Sequence, residues 1–393
     1  MPMSVGRGDQ TNGRAVRRTM LACALVGVFV LSTLLAALVA AAPIATRAAH
    51  AADSLASGTT SSAREAGSSS VIQAMESLES APGPAAAHVP VVGPSKEAPS
   101  GPPSRVSAAS IRPPARDDAG MVYDAKDGYV VLFGGITSKG DASDTWTYLS
   151  GNWTHLSLAV HPSARVSWES LAYDAKDGYV VLFGGSSYPD TWKFVGGTWT
   201  NISSSPSPPA RIEGSLTYDA KDGYVVLFGG DSFADTWKFV GGTWTNITPS
   251  VSPSYRDDAS MTYDAKDGYV VLFGGLESPN ALSDTWKFVG GTWTNLNPSS
   301  SPAPRSVAGM TYDTHDGYVV MFGGDGNSGI LGDTWKFAGG VWTQLFPAHS
   351  PTGSFDPCVA FDVKDKYVLL FGGWSGVPLN DEWKFVGGSW KKL

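Results

Sequence analysis

The sequence predicts an all-β protein whose folded part is six copies of one unit, and three observations carry that prediction. First, the stretch Tyr123-Asp-Ala-Lys-Asp-Gly-Tyr-Val-Val-Leu-Phe-Gly-Gly135 recurs letter for letter at 173–185, 218–230 and 263–275, and with small changes at 312–324 and 361–373. Second, each copy holds a run such as Tyr129-Val-Val-Leu-Phe133, with Tyr129, Val131 and Phe133 on one side of an extended strand and Val130 and Leu132 on the other. A strand that is apolar on both faces must be covered by a sheet on each side. Covering its five side chains favours folding by roughly 10 kcal/mol per copy before chain entropy is subtracted, so a single copy cannot stand alone. Third, the first glycines of successive Gly-Gly pairs, at 134, 184, 229, 274, 323 and 372, are 50, 45, 45, 49 and 49 residues apart.

The chain begins with a basic tail, residues 1–18, containing Arg7, Arg14, Arg17 and Arg18. Residues 19–43 follow as a transmembrane anchor or signal peptide, since Met20 to Ala42 runs without a charge for 23 residues. That length suffices to span a bilayer and exceeds the apolar core usual in a signal peptide, while small residues at Ala40-Ala41-Ala42 and Ala48-Ala49 offer cleavage sites. Positive charge ahead of the segment orients the N-terminus to the cytoplasm and places the repeats outside, membrane-bound or secreted. Residues 44–111 are dominated by Ala, Ser and Pro and read as a flexible linker. Within them Val71, Ile72, Met75 and Leu78 share one face at helical spacing, as a short helix or a fraying segment.

Residues 112–393 carry 20 Lys+Arg against 30 Asp+Glu, which excludes the basic stripe of a nucleic-acid-binding surface. The two cysteines, Cys23 and Cys358, exclude a disulfide framework, so packing must supply stability. Each repeat reads as four short strands. Strand A ends in Tyr-Asp, Ala-Lys-Asp-Gly turns the chain, strand B runs to Gly-Gly, strand C begins at Asp-Thr-Trp and strand D at Trp-Thr. Asp and Gly suit the tight AB and CD turns because they tolerate left-handed backbone angles. Length varies in two places only. The BC loop has four residues in repeats 2 and 3, eight in repeats 1, 4 and 5, and seven in repeat 6, and one extra residue between Arg165 and Tyr173 is most simply a β-bulge. Alternating strands put AB and CD turns on one invariant face and BC and DA loops on one variable face.

The Gly-Gly after an apolar strand, the downstream Trp and the Arg ahead of strand A resemble the kelch repeat, whose unit of roughly 50 residues forms one propeller blade. The resemblance covers residues 112–393. It implies a six-bladed kelch-type β-propeller related in fold to the central domain of galactose oxidase, with strand A innermost. The chain closes on a full strand D at Trp390-Lys-Lys-Leu393, so either blades 1 and 6 meet directly or Ser104 to Ser107 adds a strand.

Residues repeated in every unit serve what every unit needs, and the off-pattern ones are the site candidates. Trp168, Tyr188, Phe233, Tyr255 and Trp374 fall in BC loops, DA loops or the start of strand A, where exposed rings would suit sugar or protein recognition, or would pack between loops. Asp117, Asp118, Glu169, Glu213, Asp257 and Asp258 fall at the start of strand A; they ring a channel mouth, or pair with Arg116, Arg211 and Arg256 of the same turns. Asn152, Asn201 and Asn246 sit in glycosylation acceptor triplets, two of which simply repeat a strand D sequence.

No cofactor and no metal site is expected. Asp325-Gly-Asn-Ser-Gly329 lacks the later ligands of a calcium loop, the histidines have no metal spacing, and a copper site like that of galactose oxidase is poorly matched because Cys358 merely replaces a strand A residue. The reading is an exported, membrane-tethered module that binds a cell-surface protein or glycan through its BC/DA-loop face. A carbohydrate-active enzyme with carboxylates at the channel mouth and a structural cell-surface protein are the alternatives.

Overall fold

The computed structural model describes residues 112–166, 169–186 and 188–393. The basic tail, the apolar segment, the linker with its short helix and the Ser104 to Ser107 strand lie outside the described residues, as does Trp168. Among the described residues no helix is long and apolar enough to cross a membrane.

Each repeat forms one four-stranded antiparallel sheet in the order A-B-C-D. In repeat 1 the strands are Gly120–Asp124, Tyr129–Phe133, Thr145–Leu149 and Asn152–Leu156. In repeat 3 they are Ser215–Asp219, Tyr224–Phe228, Thr236–Val240 and Thr243–Asn246, in the same register: Tyr123 faces Val130 as Tyr218 faces Val225, and Leu132 faces Trp146 as Leu227 faces Trp237. Strand B is covered on both sides, as its sequence demands. Val130 and Leu132 pack against Leu369 and Phe371 of repeat 6, while Val131 and Phe133 pack against Leu182 and Trp199 of repeat 2. Strand A of each sheet touches strand A of the next, and strand A of repeat 6 touches that of repeat 1. The strands A therefore close a ring, the arrangement of a β-propeller.

Two repeated residues whose purpose was hidden in the sequence join the sheets. In repeats 2 to 6 the indole N–H of the strand D Trp donates to the Thr of Asp-Thr-Trp in the preceding sheet: Trp199 to Thr145, Trp244 to Thr191, Trp293 to Thr236 and Trp390 to Thr334, each at 2.9 Å, and Trp342 to Thr285 at 3.0 Å. On the invariant face the AB-turn Asp of repeats 1 to 5 accepts the N–H of a Gly in the next CD turn, Asp127 from Gly196 at 2.8 Å and Asp222 from Gly290 at 2.9 Å. These bonds explain why neither turn varies in length.

Repeats 6 and 1 meet directly through a different set of residues. Glu382 replaces the Thr and accepts the Trp153 indole N–H at 3.1 Å. Tyr148, standing where other repeats have Phe, lies with its hydroxyl 3.0 Å from that of Tyr367. Cys358 stands where Ser215 and Ser260 bond the neighbouring sheet, and its thiol donates to the Ala119 carbonyl at 3.3 Å.

Two expectations are corrected. Pairing in repeat 2 is unbroken from Leu171↔Leu182 to Asp174↔Tyr179, and the Phe183 N–H donates to the Ser170 carbonyl at 3.2 Å, so the extra residue is no bulge and lies ahead of the strand. The arginines do not take the neighbouring acids. Arg116, Arg165, Arg211, Arg256 and Arg305 are fully buried, and each sends a bidentate fork to the Asp of its own Asp-Thr-Trp, as Arg211 does to Asp235 at 2.6 and 2.9 Å. The guanidinium geometry matches a carboxylate two oxygens at a time, which a surface pair would not require.

Candidate functional site

The BC and DA loops and the heads of the strands A gather around one mouth of the ring. Eight-residue BC loops fold into small hairpins, Ile136–Thr137 with Gly140–Asp141, Leu276–Glu277 with Asn280–Ala281, and Asp325–Gly326 with Gly329–Ile330. The calcium-like stretch is thus the tip of a hairpin that repeats 1 and 4 build from other residues.

At the head of strand A the backbone turns left-handed at Asp118, Glu213, Asp258, Val307 and Asp356, with φ between 50° and 60°. A side chain there costs on the order of 1 kcal/mol. The turn aims backbone groups from sheet to sheet: Asp258 N–H donates to the Glu213 carbonyl, Val307 to Asp258 and Asp356 to Val307, at 3.0, 3.0 and 2.9 Å. At the junction of repeats 6 and 1, Asp117, Asp118 and Asp356 are buried with one carboxylate oxygen each within 4.8 Å of the others. Asp356 completes this group. Between repeats 3 and 4, Asp257 accepts the Ser232 N–H at 2.9 Å. Of the six acids expected at the mouth, Glu169 alone lines a cavity within the ring.

The aromatic candidates divide. Tyr188 and Phe233, in the two short BC loops, lie over the guanidinium groups of Arg165 and Arg211 at 4.3 and 4.5 Å from ring centroid, and so lid buried cations. Trp374 stacks on Phe355 at 6.4 Å with an interplanar angle of 23°. Tyr255 stands out at 41% exposure. The sequence reading passed over Phe346 in a DA loop, which is 83% exposed. Its signal was present: like Phe233, it occupies no repeated Phe position.

Asn152, Asn201 and Asn246 are all exposed on strand D. The side-chain oxygens of Asn201 and Asn246 accept the N–H two residues on at 3.0 Å, as that of Asn295 does in a repeat with no acceptor triplet. That turn accounts for the recurring Asn.

Inside the ring, the strands A enclose a cavity of about 330 Å³ with Glu169 in its lining. Burial, the largest influence, pushes the Glu169 carboxyl well above the usual range, and Asp258 adds to the effect. The bond from the Met261 N–H opposes it.

A ring of four-stranded sheets joined A to A, with Gly-Gly after strand B and a paired Arg ahead of strand A, defines a kelch-repeat β-propeller. Residues 236–393 match a family model described as the KLHDC2/KLHL20/DRC7 Kelch-repeats domain, and the first three repeats share the register of the matched ones. The matched residues are similar to kelch repeats, the strand pattern of the whole ring is consistent with a kelch propeller, and kelch domains generally mediate protein binding. No curated protein matches the chain.

Proposed function

We propose that this kelch propeller is an exported, membrane-tethered binding module that meets a cell-surface protein or glycan with its BC/DA-loop face, and that six blades are its full complement. One observation carries the reading. The AB and CD turns are locked to each other around one face, whereas the loops of the other face differ in length and bear Tyr255 and Phe346 outward. A rigid scaffold with variation confined to one loop set is the usual platform for recognition. The charge-free run of 23 residues ahead of the linker supports export and tethering.

The test uses the full chain as bait in an envelope extract of its source cell. Tyr255→Ala with Phe346→Ser should release the captured partner, while Lys126→Ala with Lys176→Ala, on the opposite face, should keep it. Equal capture by both variants sinks the loop-face assignment. Protease added to intact cells should digest the repeats, and full protection would overturn export.

A further inference from the structure

The extra residue of repeat 2 changes where one acid points. In the other repeats the left-handed residue at the head of strand A stands five places before the repeated aromatic, as Glu213 does before Tyr218. In repeat 2 Glu169, with φ 49°, stands four places before Tyr173. Its side chain leaves its own sheet. One carboxylate oxygen, Oε2, accepts the Met261 N–H of repeat 4 at 3.0 Å.

Glu169 thus stands in a cavity whose walls include Met121, Leu171, Leu216, Met261, Met310 and Val359, one residue from each strand A. Its volume of about 330 Å³ would hold about ten waters, within the size range of small-ligand pockets. Among the described residues no cation bears on the Glu169 carboxylate; the one charged neighbour acting on it is Asp258, of the same sign. A half-buried carboxylate without a counter-ion is a costly arrangement, and the five buried arginines are already committed elsewhere.

Apolar walls around one carboxylate suit a ligand with a hydrocarbon stem and a cationic head. With Oε2 engaged by Met261, a compact ammonium fits better than a planar guanidinium, which needs both oxygens. We propose that the channel binds a primary alkylammonium group, its stem along the Met and Leu walls and its head on Glu169. The source is a lysine side chain of a docked protein or a free amine; only the first rests on the loop-face reading.

The full chain is titrated calorimetrically with n-hexylammonium, N-acetyl-lysine methylamide and n-hexanoate. Hexylammonium should bind saturably and hexanoate should not. Glu169→Gln, which keeps shape and hydrogen-bonding capacity, should weaken amine binding about tenfold, and Asp365→Asn in an AB turn of the opposite face should not. Methyl resonances of Met121, Met261 and Met310 in the unsubstituted protein should shift together on adding amine, a readout that holds even if the Gln variant fails to fold. Binding of the lysine derivative points to a protein side chain, and binding of hexylammonium alone to a free amine. No saturable binding, equal binding of hexanoate, or unmoved methionine methyls overturns the proposal. Loss of partner capture with amine binding intact would count against the loop-face reading alone.

Discussion

Replacing Arg211 by Met tests whether the buried forks hold the blades together. Arg211 is 1% exposed; its Nη1 donates to the Gly229 carbonyl at 2.8 Å and to Asp235 at 2.6 Å, its Nη2 to Asp235 at 2.9 Å, and Phe233 covers the guanidinium. Met fills most of the stem volume but leaves Asp235, whose side chain is 18% exposed, with the Trp237 indole N–H alone. Breaking a buried pair from one side costs about 3–5 kcal/mol, and the small exposure of Asp235 places the cost toward the lower end. Lys in the same place keeps the charge and loses the fork, and should cost about half as much. Adding Asp235→Asn to Arg211→Met removes the stranded charge and should restore about 2 kcal/mol. Urea unfolding of the full chain, followed by tryptophan fluorescence, supplies the midpoints. A loss below about 1 kcal/mol for Arg211→Met, or no recovery in the double variant, would refute the reasoning.

Repeat 6 offers the converse experiment: Ser354 stands where the other repeats have Arg, the Ser354 Oγ and Trp383 Nε1 are buried without a partner among the described residues, and Asp381 reaches Lys392 instead at 2.8 Å. Ser354→Arg should raise the urea midpoint by about 1 kcal/mol of stability; a lower midpoint would show that the site has repacked. Acid titration should show two opposed limbs. Burial pushes the turn carboxyls such as Asp124 and Asp219 up, so they take up protons first as pH falls, and stability should rise until pH nears the ordinary carboxylate value. For Asp144 and its four counterparts burial also raises the carboxyl, but the Arg fork and the Trp N–H together outweigh it. The stability they contribute above the ordinary carboxylate value should be lost as pH falls through their lowered pKa, so Arg211→Met should flatten the acid limb in fluorescence-monitored unfolding. Burial pushes the Cys358 thiol up to about 12, so a chromogenic disulfide reagent at pH 8 should modify it only after denaturant is added. Prompt reaction in the native protein would contradict its place in the seam.

The architecture was legible because its strongest signal is periodic. A strand apolar on both faces, repeated in register, demands stacked sheets, and fixed turn lengths pointed to one constrained face. What the repeats concealed was the partner of each repeated polar residue. Arg211 and Asp235 lie 24 residues apart, and Trp244 and Thr191 53 apart, and nothing local in a sequence ties them. The aromatic candidates were legible as exceptions but not in their roles: Tyr188 and Phe233 differ from Tyr255 only in what lies beneath them. Glu169 was seen as one acid among six; that it crosses to another sheet depends on a backbone shift that spacing alone could not convert into a direction.

Near-identical repeats bring a hazard of their own, since any sheet could be mistaken for another by its neighbours, within one chain or between two growing side by side. Five of the six junctions carry the same Trp and Thr and cannot tell one blade from the next. The sixth is keyed. Trp153 donates there to Glu382 instead of a Thr, and Glu382 also lies 3.8 Å from Arg112, a residue with no basic counterpart ahead of repeats 3, 4 and 5. Seated against a repeat other than the first, Glu382 would keep an indole donor but lose Arg112, leaving its charge unanswered. The junction that breaks the pattern thereby favours one pairing of repeats over the others, in a ring whose other joints are interchangeable.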